Sequence, residues 1–585
     1  MLRNAFNVDI AKDRTGRLAT IGTLQTINMR ERFFMFTMKN LIKIFRLPLL
    51  QLTKEFLDLR FLDNRFLYLI LIRLIHVDRF LYLVRNYTFM EKYDLVVIGG
   101  GPAGYAAAMR GIDFGKKVCL IEKKRIGGAG VYNGALSSKT LWEISNRVNY
   151  VNQSLLDDGR EPYEIPWIKV RKLVDEAVFE RKFQYSCHIK LMETQEMNGL
   201  LKYERGIGQI VDNHHVKVIN QQEEKTIYGE NIVLATGSSP RKLPKIVVDE
   251  ESILTSDGIE KINDYPKSLV IVGAGVIGCE YATIFSNFGK TKVYIIDRQD
   301  KILPFEDDDI SKMVESNLES QGVTVHHNAS LVRMEKVGDM VEYELDYKDG
   351  RKEVIQVEKA LLSIGRVPNI KGLGIENAGV QMSKRGIHIG DDDTRTNIPN
   401  IYAAGDVSGR IALVNMGEIE ARHAVEKAFG GKTERLSYDN VCTIMFLKPE
   451  VASVGLNEKQ CIEQNIPVKV VKLDYSLIAR AIAMRKTQGF FKIIVTNDDD
   501  MRILGMRAVG EHASTAIEAV GLLIKMNQPI EVLSELIHPH PSIVEGIQEC
   551  VRMLLNKSVF KSLVFRDKMS CYSLVDGVKT PLQRL

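Results

Sequence analysis

At 585 residues the chain is too long for one compact core, and roughly two to four domains are expected. Apolar residues at 45% and charged residues at 26% exclude a largely disordered or fibrous chain. The net charge of +5 is unevenly placed: residues 1–89 hold 15 Lys or Arg against 7 Asp or Glu, so the remainder is slightly acidic and no nucleic-acid partner is expected.

Residues 1–89 are rich in Leu, Ile and Phe and contain only two glycines, Gly16 and Gly22. Their most apolar stretch, Phe66–Ile72, is seven residues long before Arg73 interrupts it. A bilayer span needs about 20 apolar residues, so none is expected. No early apolar core precedes a small-residue cleavage site, which argues against a secretory signal. Two readings stand. One is a basic amphipathic helix making weak contact with a membrane surface or a partner. The other is a folded body that begins at Met90, with the assigned start too early.

Tyr93–Ile98 predicts a strand that runs into Gly99, Gly101 and Gly104 and then the helical stretch Tyr105–Arg110. Glycine serves the tight turn and the close approach of backbone to a pyrophosphate, which then faces a helix N-terminus. The next strand, Lys117–Ile121, ends on Glu122, 23 residues after Gly99, where a carboxylate reaches a ribose hydroxyl. Glycine triplets alone also serve packing. Strand, turn, helix and acid together mark a dinucleotide cradle.

Asn231–Ala235 is the next strand, delivering Thr236 and Gly237. The cradle then recurs. Ser268–Val272 leads into Gly273, Gly275 and Gly278, and Lys292–Ile296 ends on Asp297, 24 residues after Gly273. Two cradles imply two dinucleotides, or one dinucleotide and a duplicated relic. Asp297 accepts from a free ribose 2′-OH and repels a 2′-phosphate, so NAD is expected over NADP, a preference that Arg298 softens.

Leu361–Ile364 leads to Gly365, and Ile401–Ala404 leads to Gly405 and Asp406, each bringing small residues and a polar group to a sheet's C-terminal edge. Asp406 has a plainer reading as a helix cap. Strands at Val468–Leu473, Phe490–Val495 and Ile503–Val509, with helices at Ala513–Ile524 and Ile530–Leu536, predict an α+β unit; residues 561–585 carry no strong signal. Asp307–Asp309 and Asp391–Asp393 read as solvated carboxylates, and no metal is expected. Seven scattered cysteines suit neither a disulfide framework nor a metal site, so the expected compartment is reducing and cytoplasmic.

From about Tyr93 to about Leu555, the order of these motifs resembles the pyridine nucleotide–disulfide oxidoreductase family. Pro449–Gly455 is similar to that family's entry into its interface domain. The resemblance implies an α/β fold with two Rossmann-like nucleotide-binding domains, for FAD and NAD, plus a C-terminal α+β dimerisation domain. Residues 90–240 and 362–435 become the two parts of the FAD domain, 241–361 the NAD domain and 440–560 the interface domain of a homodimer. Residues 1–89 remain an extension and 561–585 a tail. By the same resemblance Gly99, Gly101, Gly104, Glu122 and Asp406 hold FAD, with Thr236, Gly237 and Gly365 in the matching sheet-edge segments. Gly273, Gly275, Gly278 and Asp297 hold the nicotinamide nucleotide.

The departure lies at the redox centre. Family disulfide reductases place two cysteines beside the flavin, in Gly-Gly-x-Cys-x-x-x-x-Cys-x-Pro-x-Lys. Here Gly130 and Ala135 stand at the cysteine positions and Ser137 at the proline. Thiol–disulfide exchange needs a thiolate, which neither residue supplies. Cys119 and Cys279 read as small buried hydrophobes. Lys139 and Glu280 match the residues that pair near the flavin in relatives. His540 and Glu545 match the family His–Glu pair, an acid–base couple for thiol chemistry. Without thiols, His540 either serves another acceptor or only holds the interface. The spacing of Leu413–Arg422 is closer to the transhydrogenase branch.

The expected function is an FAD-dependent oxidoreductase that takes hydride from NAD(P)H and passes electrons to an unidentified non-disulfide acceptor, such as a second pyridine nucleotide or a quinone. Two alternatives stay open: a dihydrolipoamide dehydrogenase with an atypical centre, and a non-catalytic flavin-binding structural or interaction protein.

Overall fold

The computed structural model describes residues 90–582 apart from 391–392, 432–433 and 535. Both readings of segment 1–89 lie outside the described residues, as do Asp391 and Asp392.

The first sheet is built on parallel strands Leu201–Arg205, Val118–Glu122, Lys92–Ile98 and Glu224–Leu234, and Ile401–Ala403 also pairs with the last of these. Leu95, Val96 and Val97 are fully buried in succession, because a parallel strand with both faces covered has no solvent side to alternate with. Helix α1 (Pro102–Asp113) follows the first strand with proline at its start, where a missing N–H costs nothing. Two long helices come next, α2 (Ala135–Asp157) and α3 (Trp167–Met192).

The chain leaves this unit through Ser238–Pro240 and returns through Arg366–Pro368, and these two short strands pair antiparallel. Between the crossings lies a second parallel sheet, in the order Thr324–His326, Lys292–Ile296, Ser268–Val272, Lys359–Leu362 and Ile253–Thr255. Helix α4 (Val276–Phe288) packs on it and is almost wholly buried; α5 (Asp308–Ser320) follows.

The C-terminal unit is an antiparallel sheet of seven strands. Its last two, Met569–Val575 and Val578–Pro581, form a hairpin in the tail that was expected to be featureless. Met569, Cys571 and Leu574 face inward, whereas the intervening serines and tyrosine are too polar to signal a strand by themselves. The helix expected at Ala513–Ile524 divides into a 3₁₀ turn, Ala513–Ala516, and a helix over Glu518–Lys525.

Asp307 and Asp309 correct the reading of solvated carboxylates. Asp307 is only 6% exposed, and Lys492, itself 1% exposed on the central strand Phe490–Thr496, bonds both acids and Glu458. Burial is affordable for these charges because they are paired. Asp308 alone points outward, toward Lys301.

Candidate active site

The three glycines of the first cradle do three different jobs. Gly99 has φ +111°, and a Cβ there would sit 2.2 Å from the Ala235 carbonyl oxygen. A Cβ on Gly104 would stand 1.7 Å from the Gly99 oxygen, so that glycine lets α1 close onto the strand. Gly101 has no protein atom within 4 Å of such a Cβ. Its open side is the space a pyrophosphate needs, at the N-terminus of α1. Glu122 accepts from the Gly100 amide at 2.7 Å and the Lys124 amide at 2.6 Å, bracing the turn while its remaining lone pairs stay available for a ribose.

The second cradle repeats this arrangement. Gly273 has φ +105°, Gly275 is open, and a Cβ on Gly278 would meet the Gly273 oxygen at 2.0 Å. Asp297 accepts from the Ala274 amide at 2.9 Å and the Gln299 amide at 2.8 Å. Both cradles therefore fit the dinucleotides expected of them. Gly101→Ala should leave folding intact yet weaken FAD binding about tenfold or more. Gly104→Ala should destabilise the fold itself by about 1–3 kcal/mol or more. Flavin titration and thermal unfolding of the two variants check this split; equal losses of stability would refute it.

At the sheet edge Ser238 donates to Asp406 at 2.5 Å and receives the Arg366 Nε–H at 2.7 Å. Asp406 is thus tied to side chains from both crossings rather than acting as a plain cap. Thr236 donates to the Asn369 carbonyl at 2.7 Å, and Gly237 and Gly365 both take positive φ with open space around them. The buried Glu420, overlooked in the sequence, accepts the Gly405 amide at 2.7 Å and the Tyr438 hydroxyl at 3.0 Å. Burial raises its carboxyl above the ordinary range despite these bonds.

Lys139 on α2 and Glu280 on α4 come together, with Nζ 2.7 Å from Oε2. The other Glu280 oxygen accepts the Phe446 amide at 3.1 Å, and the Lys139 ammonium lies 5.0 Å from the centre of the Phe446 ring. The pair is fixed from three elements, with Glu280 buried and Lys139 partly open.

The redox loop carries no sulfur. Gly130 lies in a single helical turn, Gly128–Val131, and a Cβ on it would fall 2.4 Å from Pro102 Cγ. Ala135 opens α2. Burial pushes the thiols of Cys119 and Cys279 well up, away from the reactive thiolate. Cys187 on α3 is half-buried.

Ser137 and Glu260 add a feature with no sequence signal beyond a hydroxyl replacing proline. Ser137 accepts the Gly134 amide at 3.2 Å. Tyr281 donates to Glu260 at 3.0 Å. His540 and Glu545 pair at 2.6 Å on the C-terminal unit, and the histidine side chain is 72% exposed. Burial works against the Glu545 charge, but the Ser542 amide and His540 hold its carboxyl below the usual range.

The profile of the pyridine nucleotide-disulphide oxidoreductases matches residues 93–421, and that of their dimerisation domain matches 441–551. The chain belongs to the pyridine nucleotide-disulphide oxidoreductase family. It has the FAD- and NAD(P)-binding domains typical of the family and is an FAD-dependent oxidoreductase acting on NAD(P)H. The family resemblance, fold class and cofactors expected from the sequence are borne out. A dihydrolipoyl dehydrogenase of Chlamydia trachomatis is 33% identical over 465 residues, covering 78% of this chain and 95% of that protein. One from Bacillus subtilis is 32% identical over 477 residues, covering 80% and 98%. Among solved structures, the HOCl-induced flavoprotein disulfide reductase RclA of Escherichia coli, as its Cu(II) complex, is 27% identical with a TM-score of 0.70. LpdA of Mycobacterium tuberculosis is 26% identical with a TM-score of 0.72; each structure covers 80% of this chain and is itself matched over its full length. Among the described residues no helix is long and apolar enough to cross a membrane, and no three His, Cys, Asp or Glu side chains gather as a metal site.

Proposed function

We propose that this family member moves electrons from NADH through FAD to an acceptor that is not a disulfide, a second pyridine nucleotide or a quinone being the chemical classes in view. The observation that carries the reading is the absence of sulfur at Gly130 and Ala135, beside an intact Lys139–Glu280 pair. FAD, when bound, supplies the chemistry that accepts hydride from a reduced nicotinamide and releases electrons onward. Gly99, Gly101, Gly104, Glu122 and Asp406 would hold it. Lys139, oriented by Glu280 and Phe446, would offer a fixed positive charge to the bound flavin, and a preorganised charge of this kind costs no rearrangement during transfer. Gly273, Gly275, Gly278 and Asp297 would hold the nucleotide.

The dihydrolipoyl dehydrogenase relatives support a second reading, dihydrolipoamide oxidation with an atypical centre, better than they support a non-disulfide acceptor. Such a centre needs a thiol from elsewhere, and Cys187 and Cys442 are the two that are not fully buried. Reduction by NADH without oxygen, followed by a nicotinamide analogue, a quinone, lipoamide or oxidised glutathione, separates the readings by which acceptor restores the flavin colour. The dimerisation domain supports a homodimer, in which the exposed His540–Glu545 pair would serve the acceptor side or the interface.

Asp297 supports NAD over NADP. Asp297→Ala should raise KM for NADH roughly tenfold, the scale of one charged hydrogen bond, and change NADPH use far less. Equal loss for both nucleotides, or a wild type that prefers NADPH, would show that Arg298 decides the choice.

A further inference from the structure

The second cradle is braced from outside its own sheet. Ala274, between its first two glycines, is bonded on both sides: its amide donates to Asp297 at 2.9 Å, and its carbonyl accepts the Leu303 amide at 2.9 Å. The first cradle follows the same plan, with the Gly100 amide on Glu122 at 2.7 Å and the Gly100 carbonyl accepting the Gly127 amide at 2.7 Å. The two differ in what steadies the second donor. Gly127 takes φ +98° freely, whereas the fully buried Leu303 is held at φ +47°, where a residue with a Cβ persists only if its surroundings enforce it.

The enforcement comes from the residues just after Leu303, which are fastened to the C-terminal unit one by one. The Pro304 carbonyl accepts Lys459 Nζ–H at 3.0 Å, and the Phe305 carbonyl accepts Asn457 Nδ2–H at 2.9 Å. Glu306 donates its amide to the Leu303 carbonyl at 2.9 Å, and its carboxylate receives Arg507 Nε–H at 2.9 Å. Both side chains of that ion pair are 5% exposed. Arg507 also donates through Nη1 to the carbonyls of Val454 and Met506, each at 3.1 Å, so the C-terminal sheet fixes where it stands. A path of hydrogen bonds thus runs from strand Ile503–Val509 through Arg507, Glu306 and Leu303 to Ala274.

We propose that the Arg507–Glu306 pair and Asn457 are positioning residues for the second cradle, so that the C-terminal unit sets how tightly the nicotinamide nucleotide is held. The proposal rests on the reading of that cradle as the nucleotide's site. The peptides on either side of Ala274 aim the amides that open α4, and amides at a helix N-terminus are what a pyrophosphate meets. A turn already fixed in its binding geometry spares the nucleotide the entropy of ordering it. These residues act through Leu303 and Ala274, on affinity rather than on the hydride step.

Glu306→Ala cuts the path, and Glu306→Gln restores an acceptor for Arg507. Asn457→Asp removes the donor to Phe305 but keeps the oxygen that caps helix Glu458–Glu463 by accepting the Gln460 amide at 2.8 Å. Anaerobic stopped flow of the FAD-loaded protein over a series of NADH concentrations yields a limiting bleaching rate and a half-saturating concentration. Glu306→Ala should raise the half-saturating concentration about tenfold and Asn457→Asp about threefold, the scale of one hydrogen bond's worth of ordering. Glu306→Gln should recover most of the loss, and the limiting rate and flavin content should stay at the wild-type level. An unchanged half-saturating concentration beside a lowered unfolding temperature would make the brace merely structural and overturn the proposal. A fall in limiting rate alone would overturn it as well. Should Glu306→Ala not fold, Asn457→Asp decides by the same readout. Gly275→Ala, which fills the open side of the cradle, separates the two failures. If it weakens NADH while the brace variants do not, only this proposal falls; if it too leaves NADH unchanged, the nucleotide-site reading falls and the proposal with it.

Discussion

Anaerobic mixing with NADH should bleach the bound flavin without the long-wavelength absorbance that a neighbouring thiolate produces, and the reduced protein should leave lipoamide and oxidised glutathione untouched. Turnover with either disulfide should fall on the order of 10⁴-fold or more below a cysteine-bearing relative, the scale of losing a nucleophile. Gly130 and Ala135 have no sulfur to form the band or attack the substrate. Cys119 and Cys279 offer no substitute, since burial keeps both thiols protonated. Rapid reduction of lipoamide would defeat the expectation and favour the dihydrolipoamide reading. In that event the Cys187→Ser and Cys442→Ser variants, at the two thiols that are not fully buried, should reveal which sulfur serves by which of them loses the activity.

Replacing Lys492 with Met should lower stability by about 3–5 kcal/mol near neutral pH. The ammonium lies 2.7 Å from Asp309, 2.7 Å from Glu458 and 3.1 Å from Asp307, and its removal leaves three acids facing one another with too little compensation. Burial alone would raise the Asp309 and Glu458 carboxyls, yet Lys492 holds both below their ordinary 3.8 and 4.5. A depressed acid stabilises the fold fully above its ordinary value, and that contribution is lost as pH falls through the folded one. Wild type should accordingly lose stability below about pH 4, and the variant should show less of this acid-side decline. Denaturant unfolding at several pH values measures both effects. A neutral-pH loss under about 1 kcal/mol would mean that the cluster contributes no more than a surface ion pair.

Both cradles could be read from the chain because each glycine's task is local: a positive φ at Gly99 and Gly273, a close approach at Gly104 and Gly278. Lys139 and Glu280 were legible only through the family resemblance, being 141 residues apart. The misreading of Asp307–Asp309 has the same cause in reverse. Adjacent acids usually face water, and the lysine that draws Asp309 inward lies 183 residues away. Glu260 gave no signal at all. An acid between Ile259 and Lys261 reads as solvated until the fold closes over it, and only Ser137 in place of a proline hinted that the loop beside it had been rebuilt. The tail hairpin was hidden because its pairing partner, Val468–Asp474, supplies the apolar context its own serines lack.

The closeness of Pro102 to Gly130 bears on whether a disulfide centre could be engineered into this loop. Since a Cβ at position 130 would overlap the proline ring at 2.4 Å, a single codon change to cysteine would have to displace the turn Gly128–Val131 before any sulfur could act. The second position, Ala135, already has a Cβ and accepts a sulfur more readily, but one thiol without its mate cannot make the internal disulfide. A two-cysteine centre is therefore at least two substitutions and a backbone shift away from this chain.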